Sequence, residues 1–370
     1  MGERARAVED MVLDRALWRG RRVLVTGQTG FKGAWLCLWL QRLGAEVSGY
    51  ALAPETPSLF ESAQVTRGMQ SIQGDVRDAD ALRAAFARIR PEIVVHMAAQ
   101  SLVRESYSDP VGTYATNVMG TAHALEAARS AGSVRAFVNV TSDKCYENRE
   151  SSRAYSEGDP MGGHDPYSSS KGCAELVTAA YRRSFLSGAG AAMALASARA
   201  GNVIGGGDWA PDRLVPDFFR AVSAGKPLVV RNPDAVRPWQ FVLEPLYGYL
   251  LLAQALWHRP AEFAEAWNFG PDAQSEQPVR RVVQRLVELW GGGAAWEAGA
   301  GAHPHEAQML KLDCAKANVR LGWRPRMGLD AALERIVEWT RAWFAREDLR
   351  RVTQGQLESY EASLGERQPA

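Results

Sequence analysis

Apolar positions along the chain gather into short β-branched runs, each followed by a longer stretch with helical spacing, and this unit repeats through the first half. Arg21 to Thr26 is the first run. After the turn Gly27-Gln28-Thr29-Gly30-Phe31-Lys32-Gly33, an apolar helical pattern passes through Ala34, Trp35, Leu38 and Leu43. Glu46 to Leu52 predicts a second strand, and a third strand-like stretch leads into Gly74-Asp75-Val76-Arg77-Asp78. Ala79 to Arg90 predicts a helix. Pro91 to Gln100 predicts a fourth strand running into the small-residue turn of Ala98 and Ala99, with His96 a core histidine because it continues an apolar run. Tyr114 to Thr121, including Asn117, begins another helix, Phe137 to Val140 is a buried strand, and residues 191–198 continue the alternation.

Strand and helix in strict alternation predict an α/β fold, a Rossmann-like doubly wound parallel sheet. The regularity breaks at the glycine-dense Arg199 to Trp209. The chain therefore divides into an N-terminal extension (1–19), a dinucleotide-binding domain (20–198, with a return of chain near 240–270) and a smaller C-terminal α/β substrate domain (199–370). Asn148 to Asp165 is polar and Gly-, Ser- and Asp-rich, a loop bordering the site. Gly291-Gly292-Gly293 to Ala302 reads as a surface excursion, and the last helices start near Leu329 and Glu347.

Composition narrows the function. The 370 residues are 46% apolar, enough for a large core, and 43 Lys plus Arg against 42 Asp plus Glu give no global field for nucleic acid or an anionic membrane. Any phosphate has to be bound by local groups. The four cysteines, Cys37, Cys145, Cys173 and Cys314, form no C-x-x-C, so neither a disulfide framework nor a metal site is indicated. The N-terminal residues lack the apolar centre of a signal peptide, and no apolar run reaches the length of a membrane span. A soluble, cytoplasmic protein is the expectation.

Two motifs carry chemistry. The glycine turn sits between a strand and a helix, where a pyrophosphate can approach the backbone at the positive helix end. Tyr167-Ser168-Ser169-Ser170-Lys171 puts a phenol and an ammonium on one helical face, and the ammonium is expected to lower the phenol pKa from its usual ~10. Chance placement gives roughly 0.16 such pairs in a chain of this composition, so the neighbouring Thr141-Ser142-Asp143-Lys144 decides the reading. The second strand ends without the usual acid for the adenosine ribose, and without an Arg for a 2′-phosphate. Asp75 is either an acceptor for the adenine amino group or a helix N-cap. Arg231 to Gln240 sets guanidinium groups beside Trp239, which suits a phosphate or a base.

Together the glycine turn and Tyr167-x-x-x-Lys171 resemble the extended short-chain dehydrogenase/reductase family. The strings Gly30 to Gly33, Thr141 to Asn148, Asp165 to Gly172, Gly201 to Trp209 and Arg237 to Gln240 look like the CDP-glucose 4,6-dehydratases within it, a likeness spanning about Trp18 to Tyr360. The resemblance implies bound NAD, CDP-D-glucose as substrate, a homodimer and intramolecular redox that ends in loss of water. It implies that Tyr167 is the base at the 4-hydroxyl, that Lys171 holds the nicotinamide ribose and tunes Tyr167, that Ser142 hydrogen-bonds the reacting oxygen, and that Asp143 protonates the leaving 6-hydroxyl. Lys144 stands where relatives with a thymidine carrier have Glu. A Lys takes the carbon 5 proton only when neutral, which burial or nearby cations must arrange. Cofactor contacts carry over to Gly27, Gly30, Phe31, Gly33, Asp75, Val76, Ala98, Ala99, Asn117 and Thr141, and substrate contacts to Asn202, Arg213, Arg237, His305 and Glu306. Gln28 occupies a position where the family often has His. The rival readings are a nucleotide-sugar 4-epimerase, which needs no Asp143-Lys144 pair, a dehydratase for another nucleoside diphosphate hexose, and a non-enzymatic NAD sensor, which would lack Tyr167 or Lys171.

Overall fold

The structure, a computed structural model, describes residues 12–150, 153–188, 192–299 and 310–365. Seven strands form the central sheet: β1 (Arg22–Thr26), β2 (Glu46–Ala51), β3 (Met69–Gln73), β4 (Ile93–His96), β5 (Ala136–Val140), β6 (Ala194–Arg199) and β7 (Ala266–Asn268). All pairs are parallel, in the order β7-β6-β5-β4-β1-β2-β3. The order reverses beside β1, so the crevice for a ligand opens at the carboxyl ends of β1 and β4.

Successive side chains of a strand face opposite layers. In β1, Val23 and Val25 enter the larger core, while Leu24 enters the other. The smaller core is closed by helix α1 (Ala79–Ile89), through Leu82 and Phe86, and helix α2 (Gly120–Ala131), through Ala124 and Leu125. On the larger side lie the glycine-turn helix Phe31–Arg42, with Trp35 and Trp39 fully buried, and helix α3 (Leu243–His258), whose apolar residues are buried almost all round. Two C-terminal helices, Leu329–Phe344 and Leu349–Leu364, pack on the same layer. The Trp39 indole donates to Glu361 Oε1 at 2.9 Å, and Arg42 Nε donates to Glu361 Oε2 at 2.8 Å, across more than three hundred residues of sequence.

Beyond β6 the chain makes three two-stranded pairs rather than a second large sheet: Val203–Ile204 with Gln240–Phe241, Val236–Pro238 with Glu276–Pro278, and Leu228–Val230 with Trp296–Ala298. The last pair places a short strand within the largely exposed excursion expected after Gly291. Trp296 registers with Leu228, and a three-residue strand is too short to leave a periodic signal. The helix expected around Asn117 is interrupted by a π turn over Ala115–Met119. Leu17 and Trp18, at the end of the expected extension, belong to the core. No helix among the described residues is long and apolar enough to cross a membrane.

Candidate active site

Two cavities meet at the carboxyl ends of the sheet. The first, about 380 Å³, is lined by Gly27, Gly30, Phe31 and Gly33 after β1, Asp75 and Val76 after β3, and Ala98 and Ala99 after β4. Backbone proximity explains the glycines. Gly27 has φ +76°, and a Cβ there would stand 2.8 Å from Ala98 N; one on Gly33 would stand 2.2 Å from the Gly27 carbonyl oxygen. Gly30 caps the following helix without a side-chain bond, leaving the N-terminal N–H groups for a ligand. Lys171 lines neither cavity; it is buried behind their walls and makes no hydrogen bond or ion pair among the described residues. A dinucleotide fits this cradle.

The sequence left Asp75 open between ligand and cap. The structure gives the cap to Asp78, which accepts from Ala81 N at 2.9 Å, while Asp75 pairs with Arg77 Nη2 at 2.6 Å and is held below its ordinary pKa by that bond. Asn117 is buried, and its amide is spent within the protein: Nδ2 donates to Gln100 O and Ser170 Oγ, and Oδ1 accepts from Gln100 N. Its neighbour Thr116 lines the cavity instead. Glu55, three residues beyond the tip searched for an acid, also lines it.

The second cavity, about 760 Å³, gathers Thr141, Ser142, Asp143, Lys144, Tyr167, Asn202, Arg213 and Arg237. Local chemistry positions them. Strand β5 ends at Val140, and Ser142 opens a 3₁₀ turn over Asp143–Cys145 by accepting from Lys144 N at 3.3 Å while donating to Asp143 Oδ1 at 2.9 Å. Helix Pro166–Phe185 starts at Asp165, which accepts from Ser168 N at 2.9 Å with Pro166 in the first turn, a cap worth about 1 kcal/mol. That start fixes Tyr167 at the cavity wall and Lys171 one turn deeper. Beneath them lies a network the sequence did not reveal. Glu175 accepts from Thr141 Oγ1 at 2.5 Å, Ser197 Oγ at 2.7 Å and Arg199 Nη2 at 2.7 Å, and holds the last residues of β5 and β6 to the helix.

Electrostatics depart from expectation at Tyr167. Its pKa is pushed up to about 12 by burial, with the Ser142 hydroxyl and Arg213 pulling the other way; Lys171 is itself lowered to about 8 by burial. The expected lowering of the phenol by Lys171 is not found: burial penalises the phenolate, and the groups that act against it are Ser142 and Arg213 rather than Lys171. His96 is a core histidine, 2.7 Å from Thr26 Oγ1 through Nδ1 and lowered to about 3 by burial. Arg213 spans both cavities, bonded to Asp208 Oδ2 at 3.0 Å and Ser101 Oγ at 2.9 Å. Arg104, Arg231 and Trp239 join the wall of the second cavity. His305 and Glu306 lie outside the described residues.

Comparison with known proteins adds to this geometry. Residues 24–265 match the family described as GDP-mannose 4,6 dehydratase. A CDP-glucose 4,6-dehydratase of Salmonella typhimurium is 53% identical over 353 residues, 94% of this chain and 98% of that protein. Among solved structures, the dTDP-glucose 4,6-dehydratase DesIV of Streptomyces venezuelae, with NAD bound, superposes with a TM-score of 0.76 at 26% identity, covering 89% of this chain and 99% of the other. The epimerase Mth375 of Methanothermobacter thermautotrophicus gives 0.77 at 26% identity, covering 90% and 95%.

Proposed function

The chain belongs to the GDP-mannose 4,6-dehydratase family, and from that premise we propose that it converts CDP-D-glucose to CDP-4-keto-6-deoxy-D-glucose and water. It is an NAD-dependent hydro-lyase of nucleotide-sugar metabolism, serving deoxysugar or O-antigen type synthesis. NAD supplies the exchange of hydride, taken from carbon 4 and returned at carbon 6. Tyr167, once the positive charge of bound NAD offsets the burial that keeps its phenol protonated, accepts the proton of the 4-hydroxyl, and the ketone so formed acidifies the proton at carbon 5. Lys144 removes that proton and later gives it back to carbon 5, while Asp143 protonates the departing 6-hydroxyl, which leaves as water. The proton gained at Tyr167 balances the one lost at Asp143, and Ser142 stands between them. Asn202, Arg213 and Arg237 contact the substrate diphosphate.

One observation carries the reading: an acid, Asp143, and a candidate base, Lys144, line the same cavity as Tyr167. A 4-epimerase uses the Tyr, the Lys and the cofactor but has no work for that pair. The test is incubation with CDP-, dTDP-, GDP- and UDP-glucose followed by mass spectrometry. Loss of one water from the CDP sugar is expected; a product of unchanged mass overturns the assignment, and dehydration of another sugar instead reassigns the carrier. The protein is further proposed to act in the cytoplasm as a homodimer, on the strength of family resemblance, which light scattering of the purified protein tests.

A further inference from the structure

Two carboxylates of the second cavity, Asp212 and Asp217, have no part in the chemistry above. They are not equivalent. Asp212 is committed, its Oδ1 standing 3.0 Å from Arg104 Nη1 and 3.6 Å from Arg231 Nη1. Asp217, half-buried in the first turn of helix Leu214–Ser223, accepts from Arg220 Nη2 and from the N–H of Asp212. Arg220 is itself fixed, because it donates to the carbonyls of Trp209 at 2.9 Å and Ala210 at 3.1 Å. The Asp217 carboxylate is thus held in place, and two donors leave about half of its roughly four acceptor sites.

Tyr167 and Arg213 set its place along the substrate. A hexose reacting at Tyr167 carries its diphosphate toward Arg213, which stands at the N-cap of this helix and is close enough to Tyr167 to pull against the rise of its pKa. Asp217 lies one turn further on, about 6 Å along the axis, its N–H donating to Arg213 O at 2.9 Å. The cavity walls beside it are apolar: Leu214, Val215 and Pro216 on the helix, and Leu228, Val229 and Val230 on the strand packed against it. Hexose, diphosphate and nucleoside therefore follow one another from Tyr167 past Arg213 to Asp217, and apolar walls beside a fixed acceptor suit a planar base that carries a donor.

We propose that Asp217 selects the carrier base, its carboxylate accepting from the 4-amino group of cytosine and rejecting uracil and thymine. The inference rests on the reading of the substrate as a CDP-hexose. Cytosine presents a donor at carbon 4 where uracil and thymine present the acceptor O4, so the same ring edge either satisfies the carboxylate or repels it. A half-buried carboxylate facing O4 loses solvation and gains no bond in return. For that reason a site built to bond one polar group rejects the analogue lacking it more strongly than an apolar wall rejects a methyl group.

The experiment measures, by calorimetry on the full-length protein, the affinities of CDP, UDP and the diphosphate of pyrimidin-2-one riboside, which has only hydrogen at carbon 4. Expected for the wild type is CDP bound about 10² or more tighter than UDP, with the pyrimidinone nucleotide between them. Asp217→Asn, of the same shape and uncharged, should shrink the CDP-to-UDP ratio below about tenfold, because an amide offers either its oxygen or its nitrogen to the base. Affinity for NAD, read first, identifies a folded variant. A folded Asp217→Asn with the wild-type ratio overturns the proposal while the CDP-hexose reading stands, and so does a wild type that binds the pyrimidinone nucleotide as tightly as CDP. A wild type that binds UDP more tightly than CDP unseats the CDP-hexose reading itself, and this inference falls with it.

Discussion

Ser142 Oγ donates a 2.9 Å hydrogen bond to Oδ1 of its sequence neighbour Asp143, whose Oδ2 is buried with no hydrogen-bond partner among the described residues. One oxygen is held and the other has its hydrogen-bonding capacity unspent, which is why this carboxyl is proposed as the acid for the 6-hydroxyl. Asp143→Asn should slow departure of the 6-hydroxyl by about 10² or more while carbon 5 still exchanges in deuterated water. Mass analysis of the sugar separates the two events, and unchanged water loss would remove Asp143 from the mechanism.

Gly201 gives that carboxylate its room. A Cβ at this position would stand 1.8 Å from Asp143 Oδ2 and 2.0 Å from its Cγ. Gly201→Ala should lower turnover by roughly tenfold or more through displacement of the acid. Affinity for NAD should hold, since Gly201 lines only the second cavity. Equal loss of both would point to general misfolding rather than a misplaced acid.

Tyr167→Phe and Lys144→Ala should stall the proposed reaction on opposite sides of the first hydride transfer. The Phe variant keeps the buried ring and loses only the hydroxyl, so folding should stay near normal while turnover drops by about 10² or more, with no reduced nicotinamide formed. Lys144→Ala should oxidise carbon 4 and then stop, accumulating reduced cofactor and a 4-keto hexose. Single-turnover absorbance reads both. Wild-type turnover in Lys144→Ala, or an epimer as the wild-type product, would favour the rival chemistry.

Glu175 and Arg199, each 4% exposed at the side chain, form an ion pair of 2.7 Å beneath the site. Removing one partner strands the other charge in the core, at a cost of about 3–5 kcal/mol. Denaturant unfolding of Glu175→Gln should register this loss. If stability stays within about 1 kcal/mol of wild type, the pair is not what fastens Thr141 and β6 to the helix.

Glu244, buried in α3, accepts from the Tyr360 hydroxyl at 2.8 Å and from the N–H groups of Arg326 and Met327, yet burial raises its pKa from 4.5 to about 7. Between those values the unfolded chain releases a proton that the fold retains. Stability should therefore fall as pH rises from about 4.5 to about 7 and then level off, by at most about 3 kcal/mol from this group. Glu244→Gln should flatten that slope in thermal melts; melting temperatures that track the wild type at every pH would contradict it.

The early strands of the central sheet and the placement of Tyr167 and Lys171 four residues apart on one helix were legible in the sequence because each is a local signal: a β-branched run, a glycine turn, a spacing of four; the edge strand Ala266–Asn268 was not. Asp217 in the second cavity, Glu175 beneath Thr141, and Trp296 beside Leu228 depend on residues far apart in the chain, which periodicity does not encode. The rise of the Tyr167 pKa is likewise beyond what spacing encodes. Spacing reveals the charged neighbour but not the depth at which both groups lie, and depth decides the direction.

The clasp between Trp39, Arg42 and Glu361 also orders the birth of the protein. The helix that follows the cofactor turn leaves the ribosome long before Glu361 is translated, 322 residues after Trp39. Until then Trp39 has only its packing against Tyr247, and its indole N–H and the Arg42 guanidinium lack the carboxylate that will join them. The dinucleotide cradle is thus among the first parts made and the last to be backed, so a nascent chain halted short of Glu361 carries every cofactor residue identified above and still lacks the buttress behind them.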